Sequence, residues 1–397
     1  MIALVALLAA AALASPPREV TLDDSLALLR EHSEALLSAR SAVDSARADV
    51  VDAGVLPNPT LGYSRVPFVN GIPTSGHLQE TWQLDLPVYL AGQRHVRRAA
   101  ARHRLDAAAA DARAKEADLA REVRENFVAL QAAQARVRIL EEARADVERI
   151  EHILAARAEA GTQSPFDVAR MELELANARA RASEAASDEA AASVDLARAV
   201  GIPDWHPVAL GEFAPAAVST PDWATAQTHV PALAAAQARE EAAAAAVTVA
   251  RRDVLPVPVL SAGRITTASP YGASLLFGLQ IPLPLFDHNQ GTLARARAES
   301  SRARHDRAAI EASAREAFEH ASAQATRRET LETFEREAIA KLPELHRMAE
   351  DAYRNGQGGL SDLLDALRSI TESRLTHVDL VRETIDAQIE ELAASGS

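Results

Sequence analysis

The sequence predicts a mainly α-helical fold with a smaller β part, laid out twice along 397 residues. Three observations carry that expectation. Long stretches keep apolar side chains at a 3.5-residue spacing, the pattern of helices packed as coiled coils. One non-helical block occurs twice: Leu56 to Gly92 reads LPNPTLGYSRVPFVNGIPTSGHLQETWQLDLPVYLAG, and Leu255 to Gly291 reads LPVPVLSAGRITTASPYGASLLFGLQIPLPLFDHNQG. Leu56, Pro57 and Pro59 match Leu255, Pro256 and Pro258, Pro87 matches Pro282, and Gly92 matches Gly291. Aromatic residues crowd into these blocks: Tyr63, Phe68, Trp82, Tyr89, Tyr271, Phe277 and Phe286 lie there, out of 8 Phe, 4 Tyr and 3 Trp in all. Two fused copies is thus a better count than the two or three domains that length alone suggests.

Composition narrows the function. Richness in Ala, Arg and Glu with 4% aromatics favours long helices. A net charge of −14 repels phosphates and argues against a nucleic-acid partner. The absence of cysteine removes thiol chemistry, disulfides and cysteine metal sites.

Taken in order, the chain opens on an apolar run from Ile2 to Ala14, too short to span a bilayer, followed by Ser15-Pro16-Pro17. Ala12-Leu13-Ala14 fits a small-x-small cleavage site, so residues 1–14 read as an export signal, although Met1-Ile2-Ala3 lacks the usual Lys or Arg. No later stretch reaches the roughly 18 consecutive apolar residues of a membrane helix. If the rest of the chain meets a membrane, the two non-helical blocks must do it.

Thr21-Leu22-Asp23-Asp24 starts a helix that runs to about Gly54. The first block then supplies strands over 60–69 and 77–88 around the turn Asn70-Gly71-Ile72-Pro73, with Leu84, Leu86 and Val88 alternating with Gln83, Asp85 and Pro87. From Gln93 to about Ala160 the helical pattern is almost unbroken. Val123, Leu130 and Val137 mark one heptad position, and Ala133, Leu140, Val147 and Leu154 mark another. At about 1.5 Å per residue that helix is roughly 100 Å long, far more than a globular domain needs. It stops at Gly161-Thr162-Gln163-Ser164-Pro165, and Phe166 opens a return helix to about Val200. After a connector from Gly201 to Trp223 the plan repeats: a helix from Pro231 to Asp253, strands over 257–266 and 273–286, a helix from Thr292 to Asn355 kinked or broken at Pro343, a turn from Gly356 to Gly359, and a return helix from Leu360 to about Leu392. The copies run over 15–215 and 216–397, with hairpin tips at 161–166 and 356–361. Gly161 aligns with Gly356, Asp167 with Asp362, and Arg179 with Arg374, all at one offset.

Strands of about ten residues with two different faces and aromatics near their ends are what a transmembrane β-barrel uses. Two soluble hairpins capping a helical bundle fit the same strands equally well. Four strands cannot close a barrel, and an open edge in lipid leaves backbone groups unpaired at several kcal/mol each. If these are membrane strands, several copies must pool them. Eight strands leave an interior filled by side chains, so a trimer is the smallest assembly with a passage, and the long helices would extend it as a tube.

The repeated strand pair, the segment from Pro284 to Gly291 that opens a long helix, and YRNGQGGLSDLLDALRSITESR from Tyr353 to Arg374 resemble the TolC family of outer-membrane efflux ducts. The resemblance covers essentially the whole mature chain and is greatest to the branch serving heavy-metal and multidrug pumps. It implies a homotrimer with a twelve-stranded transmembrane β-barrel in outer-membrane lipid and a periplasmic α-helical barrel of antiparallel coiled-coil helices. It also implies a passive duct in a tripartite efflux system, docked through its tips to a periplasmic adaptor protein and an inner-membrane efflux transporter.

The same resemblance implies a periplasmic gate. Asp362 and Asp365 take the positions of the family's inward-facing aspartates, three apart on one helix face. In a trimer they would form two stacked acidic rings that favour cations. Carboxylates in the first turn of a helix are also ordinary partners of the macrodipole, so a bland reading stands beside this one. Asp167 matches the family's other tip acid, whose basic partner on the second turn is replaced here by Gly358; Arg170 or Arg354 can substitute. Gly161, Thr162, Gln163, Ser164, Gly356, Gln357, Gly358, Gly359 and Leu360 are the expected adaptor contacts, with the glycines also serving turn geometry.

Other chemistry is thin. The 12 histidines show no HExxH-like spacing, and Asp287-His288-Asn289-Gln290-Gly291 fails as a calcium loop because its Gly comes one position early and Ala298 stands where the bidentate Glu belongs. Without a phosphate loop, nucleophile elbow or triad, no enzyme, no cofactor and no metal site is expected. A periplasmic or cytosolic coiled-coil scaffold or adaptor explains the heptads and tips, but neither the two aromatic-rich strand pairs nor the export signal.

Overall fold

The computed structural model describes residues 18–67, 78–159, 164–216, 222–269, 272–323 and 326–396. The export segment, Phe68, the turn at 70–73, the tip residues Gly161, Thr162 and Gln163, and Tyr271 lie outside the described residues. The chain runs β1 (Glu19–Val20), α1 (Leu22–His32), α2 (Glu34–Asp52), β2 (Thr60–Pro67), β3 (Leu78–Pro87), α3 (Gln93–Glu159), α4 (Pro165–Val200), β4 (Val208–Ala209), α5 (Trp223–Ala226), α6 (Pro231–Arg252), β5 (Val259–Thr267), β6 (Gly272–Gln280), α7 (Gln290–Ala323), α8 (Thr326–Glu337), a 3-10 turn at Ile339–Lys341, α9 (Leu342–Arg354) and α10 (Leu360–Ser395). Long helices with a four-stranded β part are the expected class. The residues gather into two compact units, one of 1–37, 116–226 and 316–397, the other of 38–115 and 227–315. Each draws on both sequence copies.

In the first unit, Thr21 caps α1 with a reciprocal box: its hydroxyl oxygen accepts the Asp24 N–H at 3.2 Å, while the Asp24 carboxylate accepts the Thr21 N–H at 3.0 Å. Leu29, Leu36, Val123, Phe127, Leu130, Leu196, Val200 and Trp205 form a shared core, each large apolar side chain stabilising it by about 1.5–3 kcal/mol. β1 and β4 add a short parallel pairing, Glu19 to Val208 and Val20 to Ala209. The single helix expected to Gly54 is broken at Ser33, whose backbone turns extended (ψ 109°). There Ser33 starts α2 as its cap, its hydroxyl accepting the Leu36 N–H at 3.4 Å, and Gly201, which ends α4 at φ +89°, packs so close that a Cβ on it would sit 3.1 Å from the His32 carbonyl oxygen. A second core joins Ile150, Leu154, Met171, Leu360, Leu363, Leu364 and Leu367.

The helical run from Thr292 to Asn355 breaks at Pro343, the position where a kink or break is expected. Pro343 occupies the first turn of α9, where its missing N–H is harmless. Its ring would collide with the Ile339 carbonyl in a continuous α-helix, so the chain breaks ahead of it at Ala338 and passes through the 3-10 turn.

The second unit contains an antiparallel sheet in the order β2-β3-β5-β6. Its central pairing, β3 with β5, joins the two copies, from Gln79 opposite Thr267 to Pro87 opposite Val259. β6 ends at Gln280, short of Phe286, because Pro282 and Pro284 have no N–H to give to a ladder. β2 and β6 are left as open edges.

Candidate functional site

The register sorts the sheet's side chains into two unlike faces. Leu61, Tyr63, Trp82, Leu84, Leu86, Leu260, Ala262, Leu275, Phe277 and Leu279 share one face. All are exposed, Leu275 at 74% and Phe277 at 78%. The other face is mainly polar, carrying Thr60, Gly62, Ser64, Thr81, Gln83, Asp85, Ser261, Gly263, Ser274 and Gln280 with Val66, Val259, Ile265 and Leu276 among them. Along β5 exposure alternates strictly between half-buried on the polar face and exposed on the apolar one. A sheet curled towards its polar side gives that alternation.

At one end of the apolar face Tyr63 and Trp82, directly opposed, place their rings 4.7 Å apart. The Tyr63 hydroxyl donates to Glu80 at 3.2 Å, and Arg65 lies 3.9 Å from the same carboxylate. An aromatic pair with a hydroxyl reaching a charged border is the chemistry of a membrane interface. The other sequence-selected aromatics take different places. Tyr89 lies at the strand-to-helix junction, its ring under the Arg97 guanidinium at 5.4 Å and its hydroxyl accepting from Arg97 at 3.1 Å. Phe286 lies past the end of β6 and is 91% exposed.

That junction was not singled out from sequence. Arg97 also donates to Asp253 at 2.9 Å, and Gln93, buried, accepts the Ala91 N–H at 3.1 Å while donating to the Leu255 carbonyl at 3.3 Å. These contacts fix the angle at which strands pass into helices.

The tip residues belong to the first unit. Gly356 adopts φ +70°, and the N–H groups of Gln357 and Gly358 both reach the Ala352 carbonyl, at 2.8 and 3.1 Å. Ser164 caps α4 by accepting the Phe166 N–H at 3.2 Å, leaving the Phe166 ring 72% exposed beside the tip. Leu360, expected as an adaptor contact, is buried in the core with Met171 and Leu364. An apolar side chain at the first position of α10 is driven inward.

Asp362 and Asp365 project from the exposed face of α10, opposite buried Leu363, Leu364 and Leu367. Asp362 accepts the Gly359 N–H at 2.9 Å, so it caps the helix whatever else it does. Asp365 lies 3.5 Å from Arg368, which also binds Glu174. Arg170 donates to the Ser361 hydroxyl at 2.7 Å, and Arg354 donates to Glu350 at 3.3 Å. Asp167 stands in the first turn of α4. Among the described residues no three His, Asp or Glu side chains converge as metal ligands, and no helix is long and apolar enough to cross a membrane.

A family model described as outer membrane efflux protein matches residues 26–202 and 224–396, one segment in each sequence copy. The cobalt-zinc-cadmium resistance protein CzcC of Cupriavidus metallidurans is 27% identical over 385 residues, covering 94% of this chain and 90% of its own. The protein CyaE of Bordetella pertussis is 30% identical over 416 residues, covering 96% and 86%. Among solved structures, the CmeC outer membrane channel of Campylobacter jejuni superposes with a TM-score of 0.79 at 15% identity, over 94% of this chain and 85% of that one.

Proposed function

The chain belongs to the outer membrane efflux protein family, and from that membership we propose that it is the passive outer-membrane duct of a tripartite efflux system. Such proteins are channels of the outer membrane with a large periplasmic part, not enzymes. Three copies pool their sheets into one twelve-stranded barrel, with β6 of each chain pairing with β2 of the next. The observation that carries this reading is the sheet itself: one bare apolar face, one polar face and two open edges. In lipid those edges cost several kcal/mol per unpaired group, and closure removes both.

The hairpin tips, Ser164 and Phe166 on one side and Gly356 to Gly359 on the other, dock a periplasmic adaptor that links the duct to an inner-membrane transporter. Asp362 and Asp365, exposed on α10, form the acidic gate rings, and Arg170 ties the two hairpins beside them through Ser361. The energy comes from the pump, so the duct needs no catalytic group. The name of CzcC and the acidic rings together favour cationic cargo.

The test is the mass and shape of the protein extracted from outer-membrane fractions in mild detergent, by light scattering and electron microscopy of one sample. An elongated particle of three chains supports the duct. A soluble monomer or dimer, absent from that fraction, replaces it with a coiled-coil scaffold.

A further inference from the structure

We propose that Asp85, inside the barrel, is a second determinant of cation preference, separate from the acidic residues at the helical tips. This inference rests on the duct reading. The described parts of the four strands carry four charged side chains: Arg65, Glu80, Asp85 and Arg264. Register places Arg65 opposite Glu80 and Arg264 opposite Trp82, all on the face that meets lipid and its border. Asp85 pairs with Thr60 on one side and Ser261 on the other, on the polar, concave face. Among the described strand residues it is the single ionisable group that faces the lumen.

Its carboxylate is also held in place. The Ser261 hydroxyl donates to Asp85 Oδ1 at 2.5 Å from the neighbouring strand, and Gln83 Nε2 donates to the same oxygen at 2.7 Å. Gln83 in turn lies 3.4 Å from Ser261 Oγ, closing a three-residue cluster across β3 and β5. Both donors are neutral, so they orient the charge without cancelling it. Threefold repetition makes a ring of three carboxylates, with no lumen-facing cation among the described strand residues.

The size of the effect follows from geometry. Twelve strands about 4.8 Å apart and tilted about 40° put such a ring roughly 10 Å from the axis. Three unit charges at that distance in water, screened over a Debye length of about 10 Å at 0.1 M salt, enrich cations about twofold and deplete anions about twofold. The cation-to-anion permeability ratio therefore changes about fourfold, and the change shrinks at 1 M salt.

The absence of other cysteines makes the test clean, because Asp85→Cys supplies a unique thiol. Wild type, Asp85→Asn and Asp85→Cys are reconstituted in planar bilayers, and reversal potentials are read across a salt gradient. Asp85→Asn is expected to lower the permeability ratio about fourfold at 0.1 M salt, with single-channel conductance nearly kept. Asp85→Cys should match it, regain cation preference with a sulfonate-bearing thiol reagent, and reverse towards anions with a quaternary-ammonium reagent. Channels of ordinary conductance whose ratio ignores the Asn substitution, or whose Cys variant ignores both reagents, overturn this assignment and leave the duct standing. Wild-type protein that forms no channel overturns the duct reading and this inference with it.

Discussion

Gly263 sits where the two sequence copies meet, and Gly263→Ala should cripple the sheet while its neighbour Gly62→Ala should not. A Cβ built on Gly263 lies 2.5 Å from the Trp82 carbonyl oxygen and 3.2 Å from the Gln83 Cα, both backbone atoms of β3. Real Cβ atoms do not approach oxygen so closely, and neither neighbour can rotate away. The strands must part by several tenths of an ångström or more at the central pairing. Overpacking of this kind costs about 1–3 kcal/mol per chain, and a barrel of three chains contains the joint three times, so about 3–9 kcal/mol per trimer. At Gly62 the nearest atom to the new Cβ is the Gln83 carbonyl oxygen at 3.8 Å, an ordinary contact. The assay is the temperature at which the detergent-extracted trimer dissociates on a gel. Gly263→Ala should lower it by several degrees or leave only monomer, whereas Gly62→Ala should stay within about a degree of wild type. Equal behaviour of the two variants would refute the pairing of β3 with β5 at this register.

Three further outcomes are expected. Asp362→Asn with Asp365→Asn keeps a side-chain acceptor for the Gly359 N–H but removes both charges, so it should raise single-channel conductance and weaken cation preference; a change seen only with Asp362→Ala, which forfeits about 1 kcal/mol of capping, would reduce Asp362 to a structural cap. Gly358→Arg has room, its Cβ meeting Ala352 Cβ at 3.5 Å and Asp362 Oδ2 at 3.8 Å, and should lower conductance severalfold by placing a cation at the turn position that Gly358 occupies; unchanged conductance would show that another group, such as Arg170, already holds the tips closed. Burial in the helical unit pushes the Asp386 carboxyl up despite the opposing pull of Arg382. The folded state thus holds this proton more tightly than the unfolded chain, and stability falls as pH rises from the ordinary carboxylate range through the raised value. Asp386→Asn should melt above wild type at pH 7, with the gap closing at acid pH where the wild-type carboxyl is protonated in both states; a gap independent of pH would refute burial as the cause.

Helices and strands were legible because their periods are local. Val123 and Leu130 repeat at heptad spacing, and both are fully buried. Leu84 and Leu86 alternate with Gln83 and Asp85, and the register sends them to opposite faces. What escaped depends on distant neighbours. The break at Ser33 has a local signal that went unread, since Ser33 caps α2 by accepting the Leu36 N–H, but its close approach to Gly201 could not be read from spacing. β1 and β4 are two-residue strands with no period to read. Arg97 meets Asp253 from another helix, and Ser261 clasps Asp85 from the other sequence copy. At the tips the aspartates were visible, but Asp362 both caps the Gly359 N–H and is the residue proposed for the gate, and spacing alone does not separate the two.

The joining of β3 to β5 also sets an order of events during biogenesis. Partners in that ladder lie about 180 residues apart, so its closure waits on the slow formation of long-range contacts. The first hairpin emerges from the export machinery with Leu61, Tyr63, Trp82, Leu84 and Leu86 bare and β3 lacking its second neighbour. Until residues 259–280 arrive it is a sticky edge in water, at risk of pairing with the same hairpin of another nascent chain.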